Sequence, residues 1–188
     1  MRICVYCSSS SAVAEAYQRA ARELGALIAA RGHSLVYGGG NVGLMGELAR
    51  AVKAAGGHVL GVIPRRLRDY ELAYEEADEL IVTESMAERK ATMEKYADAY
   101  VALPGGFGTL EEILQVITLK QLGYLHAPIV FLNLQGFYEH LLAHFERLYH
   151  EHFAKPDHQR LYHVAQTPAE ALDYIEGYAE SPISRKWF

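Results

Sequence analysis

Short β-rich runs alternate with longer runs of helical periodicity along almost the whole chain, and this alternation constrains the fold more than any single motif. Residues 3–7, 34–37, 59–63, 79–82, 99–103 and 129–132 read as strands, with a last short one near 162–165. Residues 12–30, 43–55, 86–96, 109–122, 138–150 and 168–178 read as helices. Gly32 closes the first helix and Gly56 with Gly57 the second, as glycine does just past a helix C-terminus. Repeated strand–helix units predict an α/β fold, a doubly wound, mostly parallel sheet with helices on both faces. Ligands of such sheets bind beyond the carboxyl ends of the strands.

The 188 residues suit one domain with a sizeable core, expected over 1–174, and 175–188 form an unassigned tail. A net charge of −5, with only short basic stretches at Arg65, Arg66 and Arg68 and at Arg89 and Lys90, argues against a nucleic-acid partner. No apolar stretch approaches the roughly 20 residues of a membrane span. The first apolar run is too short for a signal peptide, because serine follows at once. The two cysteines, Cys4 and Cys7, lie three apart in the first strand and so face opposite sides. They read as small buried hydrophobes, and such low cysteine usage fits a reducing, cytoplasmic compartment.

Three loops leaving carboxyl ends of strands carry unusual residues, and each runs toward a helix. Four serines follow the first strand, from Ser8 to Ser11. Gly38-Gly39-Gly40-Asn41-Val42-Gly43-Leu44-Met45-Gly46 follows the second, and Pro104-Gly105-Gly106-Phe107-Gly108-Thr109 the fifth. Glycines let backbone N–H groups approach an anion, and a helix start adds unpaired donors and partial positive charge. One such loop is an ordinary capped turn; three on one sheet edge predict a phosphorylated ligand. Gly38, Gly40 and Gly43 also match G-x-G-x-x-G, but after the second strand, and the third strand ends in Pro64-Arg65 without an acid. A dinucleotide site is therefore not expected.

Glu112 follows Thr109 by three residues, which places it in the first helical turn, either closing a capping box or facing the ligand. Arg89 and Lys90 start the helix after the fourth strand. Arg89 is either paired on a solvated face with Glu88 or Glu94 or turned toward a phosphate or purine edge, which a guanidinium fork can hold. His140 and His144 share a helix face, but no H-E-x-x-H pattern occurs. His150, His152 and His158 fall in polar sequence expected to be exposed, so no metal site is expected.

Pro104-Gly105-Gly106-Phe107-Gly108-Thr109-Leu110-Glu111-Glu112 fits P-G-G-x-G-T-x-x-E, Tyr37 to Gly46 fits Y-G-G-G-x-x-G-L-M-G, and Met86-Ala87-Glu88-Arg89-Lys90 fits M-x-E-R-K. In this order and spacing they resemble the LONELY GUY (LOG) family of cytokinin riboside 5′-monophosphate phosphoribohydrolases, over nearly the whole chain. The resemblance implies a Rossmann-like fold, a homodimer, and hydrolysis of the N-glycosidic bond of AMP or N6-modified AMP to free base and ribose 5-phosphate. It implies Arg89 and Glu112 as catalytic residues. Phosphate and ribose binding falls to Gly105, Gly106, Gly108 and Thr109, with Ser8, Gly39 and Gly40 from the other loops. Met86 and Lys90 are expected on the base side. Where the family pattern often has histidine, this chain has Ala87, which bears on those base-side contacts. Neither a metal nor an organic cofactor is required. Many relatives carry the label lysine decarboxylase, but that reaction calls for pyridoxal phosphate, a Schiff-base lysine and an acid at the pyridinium nitrogen, a set the sequence does not assign. The alternative on the same fold is a non-catalytic carrier of a nucleotide or phosphorylated cofactor.

Overall fold

Strands made of Val, Ile, Leu, Tyr and Ala without polar alternation must be covered on both sides, and the computed structural model covers them so. It describes residues 1–70, 72–180 and 182–184. The strands are β1 (Arg2–Tyr6), β2 (Ser34–Tyr37), β3 (Val59–Pro64), β4 (Glu79–Thr83), β5 (Ala99–Ala102), β6 (Ile129–Leu132) and β7 (His163–Ala165). They form one sheet in the order β4-β3-β2-β1-β5-β6-β7, and all neighbours are parallel. The helices are α1 (Glu15–Ala30), α2 (Gly43–Ala54), α3 (Arg65–Arg68), α4 (Met86–Tyr96), α5 (Phe107–Gln121), α6 (Glu139–His150) and α7 (Pro168–Glu176).

Side chains alternate across β1 and sort the helices into two layers. Ile3, Val5 and Cys7 join the core built with α1, α2 and α7, while Cys4 and Tyr6 join the core built with α4, α5 and α6. Cys4 and Cys7 are buried free thiols in different layers, as the spacing predicts. From β1 the chain winds outward through β2, β3 and β4, then returns to β5 on the other side of β1. The winding direction therefore reverses between β1 and β5. The loops that part there open a crevice at their carboxyl ends.

The expected mostly parallel sheet is parallel throughout; an isolated antiparallel bridge, Gly40 with Ala73, lies outside it. Several other expectations need correction. The first helix begins at Glu15, because the serine loop closes on itself, Ser10 N donating to Ser8 Oγ and Ala12 N to Ser10 Oγ. The four-residue α3 was not expected. His150 and His152 are exposed, but His158 is only 1% exposed. Its Nδ1 accepts from Gln121 Nε2 and Lys155 N, and its Nε2 donates to the Ser184 carbonyl. With both ring nitrogens bonded, burial costs it little.

The segment left unassigned is in part packed. Ile175 sits in the core, Glu176 pairs with Arg31 and His33, and the ring of Tyr178 lies 4.7 Å from Lys120 Nζ. Residues 181 and 185–188 fall outside the described residues. Among the described residues no helix is long and apolar enough to cross a membrane.

Candidate active site

The crevice at the winding reversal is a cavity of about 450 Å³, walled by the serine loop, the glycine loop after β2, and the first turns of α4 and α5. Its chemistry centres on two helices of one layer.

Two side chains cap the start of helix α4. Ser85 Oγ accepts from Glu88 N at 3.1 Å, and Glu88 Oε2 accepts from Glu84 N at 2.8 Å. The next residue, Arg89, turns inward. Its Nε donates to the Val62 carbonyl at 3.1 Å and its Nη1 to Glu112 Oε1 at 2.7 Å. Both side chains of this pair are 9% exposed. Burial raises the Glu112 carboxyl above its usual range, and the Arg89 charge opposes that shift without cancelling it. The solvated-face alternative for Arg89 is excluded, and neither Glu88 nor Glu94 is its partner.

Helix α5 begins earlier than expected. Its N-cap is Gly106 in an extended conformation, so Thr109 lies inside the first turn. Glu112 then belongs to the second turn rather than the first, and a Thr109–Glu112 capping box does not form. Glu112 is free to meet Arg89. Leu110 N is the first to bond back, to the Gly106 carbonyl at 3.1 Å. The N–H groups of 107–109 thus have no acceptor within the helix. A Cβ on Gly106 or Gly108 would meet nothing within 4 Å, and both glycines line the cavity with Thr109.

The other glycines serve neighbours. A Cβ on Gly38 would stand 2.0 Å from Arg89 Nη2, so Gly38 is the floor on which the guanidinium lies. Gly39, at φ +71°, packs on β3 and does not line the cavity; its Cβ would meet Ile63 at 3.0 Å. Gly40 lines the cavity beside Met45. Gly43, at φ +58°, lets the serine loop touch the glycine loop, since a Cβ there would be 2.4 Å from Ser9 C. Gly105 faces Thr109, whose Oγ1 a Cβ would meet at 2.1 Å. Ser8 lines the cavity, yet its carbonyl accepts from Leu44 N and Met45 N. The N-terminus of α2 is therefore capped by backbone, which leaves the start of α5 as the open donor set.

Of the two base-side candidates, Met86 lines the cavity, half-exposed, and Lys90 does not. Lys90 instead pairs with Glu111 and donates to Gln115 Oε1 at 2.6 Å. The apolar wall of Met45, Ile63, Leu67 and Leu72 was not foreseen; only Met45 lies in a motif, and Leu67 sits on the unexpected α3. Among the described residues no group of three His, Cys, Asp or Glu is placed to hold a metal ion.

A family model described as "Possible lysine decarboxylase" matches residues 45–175. A "Probable cytokinin riboside 5′-monophosphate phosphoribohydrolase" of Oryza sativa subsp. japonica is 46% identical over 96% of this chain and 74% of its own length. A cytokinin riboside 5′-monophosphate phosphoribohydrolase of Arabidopsis thaliana is 44% identical over 94% of this chain and 78% of its own. Among solved structures, a molybdenum cofactor carrier protein from Chlamydomonas reinhardtii aligns with a TM-score of 0.72 at 27% identity, covering 93% of this chain and 95% of that one.

Proposed function

The chain belongs to the LONELY GUY (LOG) family of cytokinin riboside 5′-monophosphate phosphoribohydrolases, and on that premise we propose that it hydrolyses the N-glycosidic bond of AMP or N6-modified AMP. One observation carries the reading most. A buried Arg89–Glu112 pair lines the cavity, and Glu112 belongs to α5, the helix whose first turn offers free backbone donors.

The 5′-phosphate sits at the start of α5, on the N–H groups of 107–109 and the Thr109 hydroxyl, where the helix dipole favours an anion. From Gly108 to Glu112 the helix rises roughly 6 Å, a span one ribose bridges. Water attacks C1′ as the bond from C1′ to the purine nitrogen breaks. The water oxygen stays on the sugar, and its proton ends on the departing base. Glu112, whose burial strengthens its hold on a proton, faces the positive charge that develops on the sugar and draws the proton from water. Arg89 donates toward the purine as negative charge builds there. Its charge is fixed, so it stabilises the leaving base without giving up a proton.

The decarboxylase description fits the cavity poorly. Its described lining contains no lysine to form a Schiff base, and Lys90, which does not line it, is tied to Glu111 and Gln115. A carrier like the molybdenum cofactor protein shares the fold, but a carrier has no need of a paired, desolvated acid and guanidinium. The same reading carries a cytoplasmic location and a homodimer, the latter supported by the exposed apolar Phe107 and Leu114 at the site.

The test is incubation with AMP and with N6-isopentenyl-AMP, following free base and ribose 5-phosphate by chromatography. Release from both is expected, abolished in Glu112→Gln and in Arg89→Ala. Binding without release from either would install the carrier reading.

A further inference from the structure

Lys90 and Gln115 cross-link the two helices that carry the reactive pair. Lys90 and Glu94 are one turn apart on α4; Glu111 and Gln115 are one turn apart on α5. Lys90 Nζ donates to Glu111 and to Gln115 Oε1, and Gln115 Nε2 donates on to Glu94 Oε1. The ladder therefore closes from α4 to α5 and back. The side chain of Lys90 is 17% exposed, so its charge is largely withdrawn from water and committed to these partners. Arg89 and Glu112, the next residue on each helix, make the only other hydrogen bond between α4 and α5 among the described side chains.

We propose that Lys90 and Gln115 form a clamp that fixes the spacing of α4 and α5, and so holds Arg89 in hydrogen-bond register with Glu112. The proposal rests on the hydrolase reading and assigns Lys90 as a positioning residue without contact to substrate. Its physical ground is the rigidity of a helix. Arg89 and Lys90 share one backbone turn, as do Glu111 and Glu112, so any slip between the helices reaches the neighbouring pair undiminished. Arg89 has no slack to absorb a slip. Its Nε is fixed to Val62 and its Nη2 lies on Gly38. A misplacement of about 1 Å in such an arrangement costs up to roughly 100-fold in rate.

The experiment measures kcat and KM for AMP hydrolysis in Lys90→Met, Gln115→Leu and Lys90→Arg. The clamp predicts that Lys90→Met and Gln115→Leu lower kcat by roughly 10- to 100-fold with KM little changed. It also predicts that Lys90→Arg recovers most of the loss, since a guanidinium can span both partners. A raised KM at unchanged kcat in Lys90→Met would mean that Lys90 touches the substrate, and would overturn the clamp. Wild-type rates in both Lys90→Met and Gln115→Leu would overturn it as well. Failure of the wild-type chain to hydrolyse any nucleotide would count against the hydrolase reading alone. The clamp would then be decided by the crystal structure of Lys90→Met, where an Arg89–Glu112 bond still at 2.7 Å refutes it and a broken one supports it.

Discussion

Gly38→Ala separates the function of the glycine loop from its structure. Gly38 has ordinary backbone angles, so alanine introduces no strain of its own. The new methyl would stand 2.0 Å from Arg89 Nη2 and 3.1 Å from Met45 Sδ. Met45 is flexible and can retreat. Arg89 cannot do so without cost, because the guanidinium must clear the methyl while Nε stays on Val62 and Nη1 on Glu112. Restoring ordinary contact takes Nη2 more than 1 Å away, and the 2.7 Å bond to Glu112 is what yields. A hydrogen bond between charged groups contributes about 1.5–3 kcal/mol, which corresponds to roughly a 10- to 150-fold loss in kcat/KM if it is lost from the transition state. The core is untouched, so the thermal midpoint should stay within a few degrees of wild type. Steady-state hydrolysis of AMP and a thermal melt on the same preparation provide the check. Unchanged kcat/KM would refute the reasoning, as would a collapse in stability large enough to explain the lost activity. Gly39→Ala is the contrasting control. At φ +71° and against the backbone of Val62, it should cost about 1–2 kcal/mol of stability from conformation alone, and its folded fraction should retain activity.

Burial raises the pKa of Glu112, so the acid limb of the kcat profile should lie above the ordinary glutamate value of about 4.3; a limb at or below that value would remove the ionised Glu112 from the rate-limiting step. The sign for stability is opposite to that of a salt-bridged surface acid. The folded state holds the Glu112 proton more tightly than the unfolded state, so this group's contribution falls as pH rises from the ordinary value through the raised one. Melting curves across that window should show wild type losing ground relative to Glu112→Gln, and parallel curves would contradict the assignment of burial as the dominant cause. Adenosine should react far more slowly than AMP, because the donors at 107–109 then hold nothing; equal kcat/KM for the two would move the phosphate away from α5.

The architecture was legible because its signals are local. The strands are short, mostly apolar runs, several of them bounded by glycine, proline or serine, and each long helix repeats every three to four residues. Parallel pairing follows from the crossovers. The misreadings fall where two local signals compete or where partners are distant in sequence. Thr109-x-x-Glu112 has the form of a capping box, yet the extended Gly106 starts the helix three residues earlier and carries Glu112 one turn deeper. The Arg-Arg-Leu-Arg of α3 has no apolar face to mark it. The partners of Lys90 were not legible either: successive helix residues point in different directions, and Glu111 and Gln115 lie 21 and 25 residues away. His158 lies in polar sequence, and its burial depends on contacts from Gln121 and Ser184 that no local pattern announces.

The position of Glu112 on α5 explains why phosphate recognition can be linked to bond breaking without a moving part. The N–H groups that would hold the phosphate and the carboxylate that would act on the sugar belong to one helix, buried along Ile113 and Val116 against the sheet. Binding energy gained at the phosphate, remote from the scissile bond, therefore sets the height of C1′ relative to Glu112 through rigid backbone. Arg89 comes from a second helix, and its alignment needs separate support. Val62 orients the guanidinium from β3, Gly38 clears its floor from the end of β2, and the Lys90–Gln115 ladder ties its helix to α5. Substitutions that shorten the phosphate contacts and those that loosen α4 should therefore fail differently, the former through substrate placement and the latter through kcat with the substrate still seated.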